Sequence, residues 1–158
     1  MGAVEQSYEA VESYLSTLDE SYDSFTVNQR TLAVPTAQYE REREHAIAGT
    51  VDLYTKVRND DSEILHVREE YEHVLPSAKT ATMMFERVAT NAVEERTGVT
   101  CRVDGVAETT ILGIHDATDA HETVYRLAVV FEATRQAGTP GKEAVWHATD
   151  RESELAFS

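Results

Sequence analysis

Basic residues, cysteine and long apolar segments are scarce in this chain, and each shortage excludes a class of protein. Lysine and arginine together number 14 against 29 acidic residues, a formal net charge of −15 over 158 residues. A surface with this charge repels phosphate backbones and anionic lipid headgroups, so neither a nucleic-acid polymer nor a membrane is an expected partner. Cys101 is the single cysteine, which excludes an internal disulfide and any paired-cysteine metal motif.

Targeting and membrane segments are also missing from the sequence. The start, MGAVEQSYEAVE, carries Glu5 and Glu9 where a signal peptide places positive charge followed by apolar residues. The longest uncharged apolar run, residues 127–131, is far shorter than the roughly 20 residues of a membrane span. The sequence therefore predicts a soluble, cytoplasmic protein of one domain with an appendage.

The acidic residues are spread along the whole chain and do not form a tail. Repulsion between charges of one sign destabilises a compact folded state. At about 1 M salt the Debye length falls to roughly 3 Å, so this repulsion is almost completely screened. We therefore expect a halophilic protein from a salt-accumulating cytoplasm. The acidic surface is then an adaptation to high salt and carries little information about the protein's function.

The first 45 residues are expected to form a helical extension, and residues 46–158 the main domain. Apolar residues recur at three- and four-residue steps between residues 7 and 22, which predicts an amphipathic helix. This helix either docks on the main core or mediates homodimerisation, and the sequence leaves both open. The pattern weakens over residues 23–38, and residues 39–45 predict a solvated helical turn.

The main domain mixes strands with one clear helix. Period-two alternation from Ile47 to Val57, turn residues at 59–62 and an apolar run from Ile64 predict a β-hairpin. A helix is predicted over residues 83–96, with Gly98 as its stop. Further strands are predicted at residues 100–103, 107–114, 123–133 and 144–147, and a closing helix at 150–155.

The end of the predicted helix carries a family resemblance. AVEERTGV, residues 92–99, resembles the REUXEEXGU end of the Nudix box GX5EX7REUXEEXGU. Residues 57–76 resemble the hairpin that leads into this box, and residues 144–155 resemble the family's closing strand and helix, with Trp146 at a typical place. The resemblance covers residues 46–155. It implies an α/β fold of the α+β type, a Nudix-like α/β/α sandwich with a mixed sheet. It also implies a hydrolase, dependent on Mg²⁺ or Mn²⁺, of nucleoside diphosphates linked to another group.

The box itself is degenerate in this chain. The family's Arg-Glu pair falls on Asn91 and Ala92, and its Glu-Glu pair falls on Glu95 and Arg96. Carboxylates three and four residues apart share one helix face, where they hold Mg²⁺ together with substrate phosphates. A single remaining carboxylate binds Mg²⁺ poorly, so hydrolysis is expected to be weak, altered or lost.

Arg96 has two interpretations. A helical projection groups it with Phe85, Ala89 and Ala92, which predicts that it lies on or beside the core-facing stripe. Arg96 then either extends to pair with a neighbouring carboxylate or replaces the metal as a phosphate partner.

The candidate site residues follow from the resemblance and the charge pattern. Glu95 and Glu143 are the candidate catalytic residues, and Arg96 and Lys79 the candidate phosphate ligands. Glu95, Asp116 and Asp119 are the candidate metal ligands. The His- and Asp-rich segment at residues 115–122 is otherwise a solvated loop, and Glu143 is otherwise a surface acid.

Two functions remain open at this stage. The first is a Nudix-type pyrophosphohydrolase acting on a nucleotide-like phosphoanhydride. The second is a non-catalytic nucleotide-binding or regulatory interaction protein on the same scaffold. Tyr54, Tyr125 and Trp146 are expected in the core, although one of them could line a nucleotide pocket. The sequence contains no GxSxG, phosphate-loop or GxGxxG motif.

Overall fold

The computed structural model describes residues 2–148, which form three helices and eight strands. The elements in chain order are α1 Ala3–Ser21, β1 Thr26–Val34, α2 Thr36–Ile47, β2 Val51–Arg58, β3 Ile64–Glu69, β4 Glu72–Val74, β5 Ser77–Thr80, α3 Phe85–Thr97, β6 Thr100–Asp116, β7 Val124–Ala137 and β8 Ala144–His147. The predicted closing helix at residues 150–155 lies outside the described residues. None of the helices within residues 2–148 is both long and apolar enough to cross a membrane.

The strands form a mixed sheet. Its order is β1-β6-β7-β2-β3-β4, with β5 paired to β2 and β8 paired to β3. β1 runs parallel to β6, whereas β3 is antiparallel to β2, β4 and β8. The predicted α/β class, mixed sheet and N-terminal helix are therefore confirmed.

The chain divides into two compact units. The first comprises Met1–Asp52, Lys79–Met83 and Val106–Val129, and the second comprises Leu53–Ala78, Met84–Gly105 and Val130–Ser158. The expected division into residues 1–45 and 46–158 stays a prediction.

In the first unit, α1 buries Ser7, Val11 and Leu18. The Ser7 hydroxyl accepts a hydrogen bond from the Tyr125 backbone N–H at 3.0 Å and donates one to the Val4 carbonyl at 2.9 Å. A buried hydroxyl that satisfies a strand N–H is a sign of docking, because an unpaired buried N–H is costly. The docking interpretation of the N-terminal helix is thus supported by contacts within this unit.

In the second unit, a tight apolar cluster forms behind α3. Its members are Val57, Leu65, Val93, Val99, Cys101, Ala133 and Ala144, with Trp146 packed against it. Trp146 is therefore part of the core packing, as its residue type led us to expect.

Three element predictions were wrong in detail. β1 was missed, because only Val34 of its nine residues is buried and the strand shows no period-two apolar pattern. Ile47 ends α2 and does not begin the hairpin, whose first strand starts at Val51. The two strands predicted over residues 100–114 are one continuous strand, since Gly105 lies inside it without a break.

Candidate functional site

Helix α3 presents the box residues, and its burial pattern differs from the projected one. The buried residues Phe85, Ala89, Val93 and Thr97 recur every four positions. Arg96 is exposed and adjoins the buried Val93 three residues earlier, so it lies beside the core-facing stripe and not within it. Gly98 ends the helix with φ of 81°, a left-handed conformation that favours glycine. This accounts for the Thr-Gly-Val at the helix end.

Arg96 is held by a surface ion pair. Its Nη2 atom donates to Glu69 Oε1 at 3.2 Å, with side chains 39% and 48% exposed. Such an exposed ion pair contributes about 0.2–1 kcal/mol to the free energy of unfolding. The ion-pair alternative for Arg96 matches this contact, and a phosphate-binding role stays a prediction.

A divalent metal does not fit the box positions of α3. Ala92 offers no donor atom, Arg96 is a cation engaged with Glu69, and Glu95 is one exposed carboxylate. Hard cations need several oxygen ligands to bind well. Within residues 2–148, no group of three His, Cys, Asp or Glu side chains is placed to hold a metal ion.

Glu143 lies exposed just before β8. Its backbone carbonyl accepts a hydrogen bond from the Arg68 N–H at 2.7 Å, which continues the pairing between β8 and β3. This contact uses the backbone only, so it leaves the catalytic prediction for the Glu143 side chain untested.

Lys79 belongs to a charge network in the first unit that sequence reasoning missed. Lys79 Nζ lies 2.6 Å from Asp52 Oδ1, and Asp52 also accepts from Arg126 Nη2 at 2.9 Å. Arg126 Nη1 donates in turn to Glu42 Oε2. The Arg126 side chain is 3% exposed, and its Nε atom is buried without a hydrogen-bond partner among the described residues.

This network balances two cations against two anions, as buried charge requires. Its sequence signal was present but weak. Asp52 interrupts the apolar strand VDLYTKV, and Arg126 interrupts VYRLAVVF. A charge inside an apolar strand indicates a buried partner, but the sequence does not say which residue supplies it.

Asp116 organises the loop that follows β6. Its carboxylate accepts hydrogen bonds from the Thr118 N–H at 2.9 Å, the Thr118 hydroxyl at 2.8 Å and His121 Nδ1 at 2.8 Å. The Thr36 hydroxyl adds a further contact at 3.0 Å. The backbone bond from Thr118, followed by the His121 bond, lowers the pKa of Asp116 well below its usual range.

His121 and Asp119 of this loop make further contacts that hold it in place. His121 stacks on Tyr39 with ring centroids 5.1 Å apart. Asp119 is exposed, has φ of 57° and donates its N–H to the Asp116 carbonyl at 2.9 Å. Asp116 and Asp119 are therefore brought together by the backbone of the loop, while their role as metal ligands stays a prediction.

An open groove in the first unit has the composition of a ligand site. It measures about 350 Å³ and is lined by Tyr8, Gln29, Arg30, Thr31, Ile111, Gly113, Thr123 and Tyr125. The parallel register of β1 and β6 sets Gln29 beside Ile111 and Thr31 beside Gly113. A Cβ at Gly113 would lie 3.3 Å from Thr123 Cγ2 and 3.5 Å from Tyr125 Cε1, so glycine keeps this end of the groove open.

The groove lacks negative charge in a strongly acidic chain. None of its lining residues is Asp or Glu, and Arg30 is the one Lys or Arg among them. The sequence signal for it is the segment 24–39, sixteen residues without an acid and with Arg30 as their one Lys or Arg. Tyr125, named from sequence as a residue that could line a nucleotide pocket, does line this groove.

The chain was compared with known proteins. No family model and no curated protein matches it. A candidate oxidoreductase from Sinorhizobium meliloti 1021 is similar in structure, at 17% identity and a TM-score of 0.47, over 78% of this chain and 38% of its own. An ADP-ribose pyrophosphatase from Streptococcus suis 89-1591 is similar at 14% identity and a TM-score of 0.46, over 62% of this chain and 72% of its own. A Nudix hydrolase from Nitrosomonas europaea is similar at 16% identity and a TM-score of 0.43, over 63% of this chain and 72% of its own.

These findings show structural similarity to Nudix hydrolases at low sequence identity. The chain spans 38% of the Sinorhizobium protein, which is a little over a third of its length.

Proposed function

We propose that this chain binds a nucleotide-like anionic ligand, of the nucleoside diphosphate class, in the groove beside β1, on a Nudix-like scaffold without the metal site of the box. The observation that carries the proposal is the composition of the groove. It combines tyrosine rings with hydroxyl and amide groups on the edge strand that carries Arg30, and it contains no acid in a chain of net charge −15.

The tyrosine rings suit the base of such a ligand. Tyr8 and Tyr125 meet edge to face, with centroids 5.1 Å apart and planes at 78°. Tyr8 is 40% exposed, so part of its ring remains available at the surface of the groove. Stacking of a base on an aromatic ring contributes about 1–3 kcal/mol in nucleic-acid complexes, and it tolerates any base.

Arg30 and its polar neighbours suit the phosphates. A guanidinium is permanently charged and can bind phosphate oxygens through two parallel hydrogen bonds. The hydroxyls of Thr31 and Thr123 and the amide of Gln29 supply further donors along the same groove. An anion is repelled least where acidic side chains are absent, which favours this groove over the rest of the surface.

The binding proposal is tested by ligand-induced thermal stabilisation. The full chain is heated in molar potassium chloride with nucleoside diphosphates and their sugar conjugates, without divalent metal. We expect at least one compound to raise the melting temperature, because a ligand that binds the native state stabilises it. Arg30→Gln and Tyr8→Ala should each reduce that shift, while Arg41→Gln, which removes the same charge from an exposed position of α2, should preserve it.

Two outcomes would overturn the proposal. One is the absence of stabilisation by every compound. The other is an equal shift in wild type and Arg30→Gln, which would locate the binding elsewhere.

The second candidate function is hydrolysis at the degenerate box. The helix end AVEERTGV favours it, because Gly98 ends α3 with the family's spacing and leaves Glu95 on the exposed side. In this scheme Glu95 and Glu143 act as the catalytic carboxylates, and Arg96 binds phosphate. The resemblance implies Mg²⁺ or Mn²⁺ as the ion for this reaction. Product analysis with the same compounds and either metal tests it, and cleavage abolished by Glu95→Gln would favour the hydrolase.

A further inference from the structure

Three of the six histidines of this chain share one face of the second unit's sheet. His66 lies in the middle of β3. In the strand registers, His73 of β4 stands opposite Arg68, and His147 of β8 stands opposite Ile64. Residues 64, 66 and 68 point to the same side of β3, and residues directly opposite each other share a side. The strand geometry therefore brings His66, His73 and His147 together.

Their side chains are in contact. His73 Nδ1 lies 2.6 Å from His147 Nε2, and the two ring centroids are 4.7 Å apart. The buried ring of His66 packs edge to face against His147, also with centroids 4.7 Å apart. His66 Nδ1 lies 3.0 Å from the Ile64 carbonyl, and because a carbonyl can only accept, this nitrogen carries the proton. His66 thus forms a fixed platform under His147.

His73 Nδ1 and His147 Nε2 are close enough to share one proton in a hydrogen bond. One of them must donate a proton to the lone pair of the other, since two lone pairs at 2.6 Å repel. When both rings are neutral, the donor can move its proton to its other nitrogen. Two lone pairs then converge on one point at the protein surface, where His73 is exposed.

We propose that His73 Nδ1 and His147 Nε2 chelate a borderline divalent transition metal: Cu²⁺, Ni²⁺ or Zn²⁺. Imidazole nitrogen is the ligand these ions prefer. Nitrogens bonded at 2.0–2.1 Å in a tetrahedral site lie about 3.3 Å apart, so the pair must open by roughly 0.7 Å. The exposed His73 side chain can move this far. Water completes the coordination, since no three ligand side chains within residues 2–148 form a ready site.

The surrounding charge is mixed but mainly negative, since Arg68 stands opposite His73 and three glutamates lie in the adjacent hairpin tip. The hairpin tip that precedes His73 is Glu69, Glu70, Tyr71 and Glu72, which line an open concavity of about 540 Å³. Glu69 is paired with Arg96, and the other two glutamates add negative potential next to His73 in sequence. Such a field raises the local concentration of cations and speeds their association.

Calorimetric titration of the full chain tests the site. The metal-free protein, in molar potassium chloride to suppress diffuse binding to the acidic surface, is titrated with Ni²⁺, Zn²⁺ or Cu²⁺. We expect one saturable site per chain. His73→Gln should remove it, whereas His45→Gln, a change of the same kind on α2, should leave it intact.

Histidine ring resonances give a second measurement that does not depend on the variants folding. Substoichiometric Cu²⁺ should broaden the signals of His73 and His147 before those of His45 and His115. The proposal is overturned if wild type shows no saturable binding, if His73→Gln binds as wild type does, or if other histidines broaden first.

Discussion

Arg126 Nη2 lies 2.9 Å from one carboxylate oxygen of Asp52 and 2.8 Å from the other. Both side chains are buried, and Glu42 and Lys79 complete the network on either side. Burying Arg126, Asp52 and Glu42 costs desolvation energy, which the mutual attraction of the network offsets only while every partner is present. This network is therefore a point at which the first unit is sensitive to single substitutions.

Replacing Arg126 should show this sensitivity. Arg126→Gln leaves Glu42 and Asp52 buried with Lys79 as the remaining cation, and we expect a loss of about 3–5 kcal/mol in the free energy of unfolding. Arg96→Gln, which breaks the exposed pair with Glu69, is the matched control and should cost no more than about 1 kcal/mol. Urea denaturation of both variants in molar potassium chloride measures the difference. Equal small losses would contradict a structural role for the network.

Asp116 should make stability depend on pH in a defined direction. Its pKa in the folded chain is lowered, chiefly by the Thr118 N–H and His121. The unfolded state therefore binds the proton more tightly, and stability from this group is fully present above the unfolded pKa of about 3.9. It is lost progressively as pH falls below that value towards the lower folded pKa.

The measurement is the free energy of unfolding as a function of pH for wild type and Asp116→Asn. The variant should be less stable at neutral pH, and its stability should fall less steeply below about pH 4. Parallel curves for the two proteins over that acid range would show that Asp116 is not the group responsible.

Gly138 should tolerate no side chain. It has φ of 91°, and a Cβ there would lie 2.2 Å from the Gly98 carbonyl oxygen and 3.1 Å from Val99 Cα. Both conflicts involve backbone, so Gly138→Ala should destabilise the chain by about 2–4 kcal/mol. Gly105→Ala is the control, because a Cβ at Gly105 would meet nothing within 4 Å and the φ of this residue is not positive. Thermal denaturation of the two variants should separate them clearly, and a similar melting temperature for both would refute the close approach.

Restoring the box carboxylates should test the placement of the Nudix resemblance. Ala92→Glu combined with Arg96→Glu puts three carboxylates, with Glu95, at three- and four-residue spacing on α3. If α3 is a lapsed box, the double variant should gain specific Mg²⁺ binding and cleavage of nucleoside diphosphate derivatives. The charge-matched control is Asn91→Glu with Arg87→Glu, which adds acids to α3 outside the box glutamate positions. No gain over this control would count against the placement.

The sequence predicted the regular elements well where their pattern was local. The amphipathic α1, the hairpin of β2 and β3, α3 with its Gly98 stop, and strands β7 and β8 follow from periodicity and turn residues. β1 was missed because an edge strand with little buried surface needs no apolar alternation. The core stripe of α3 follows from its local pattern, since Phe85, Ala89 and Val93 are buried as predicted, while Ala92 is only partly buried.

The candidate site was less accessible to sequence reasoning. The degenerate box could be counted directly, because it is a matter of residue identity at fixed spacing. The contacts between distant residues could not be predicted in this way. Asp52 and Arg126 are 74 residues apart in the sequence, Tyr8 and Tyr125 are 117 apart, and His73 and His147 are 74 apart. Such pairs depend on strand order and register, which no local pattern encodes.

By itself the sequence determined the acid excess, the few carboxylates of the box-like segment and the type of most helices and strands. These depend on composition and on contacts between near neighbours in the chain. The tertiary structure alone decided where the acids are absent, which histidines meet and how the buried charges are balanced. Those outcomes depend on the pairing of distant strands, because only that pairing sets which side chains share a face.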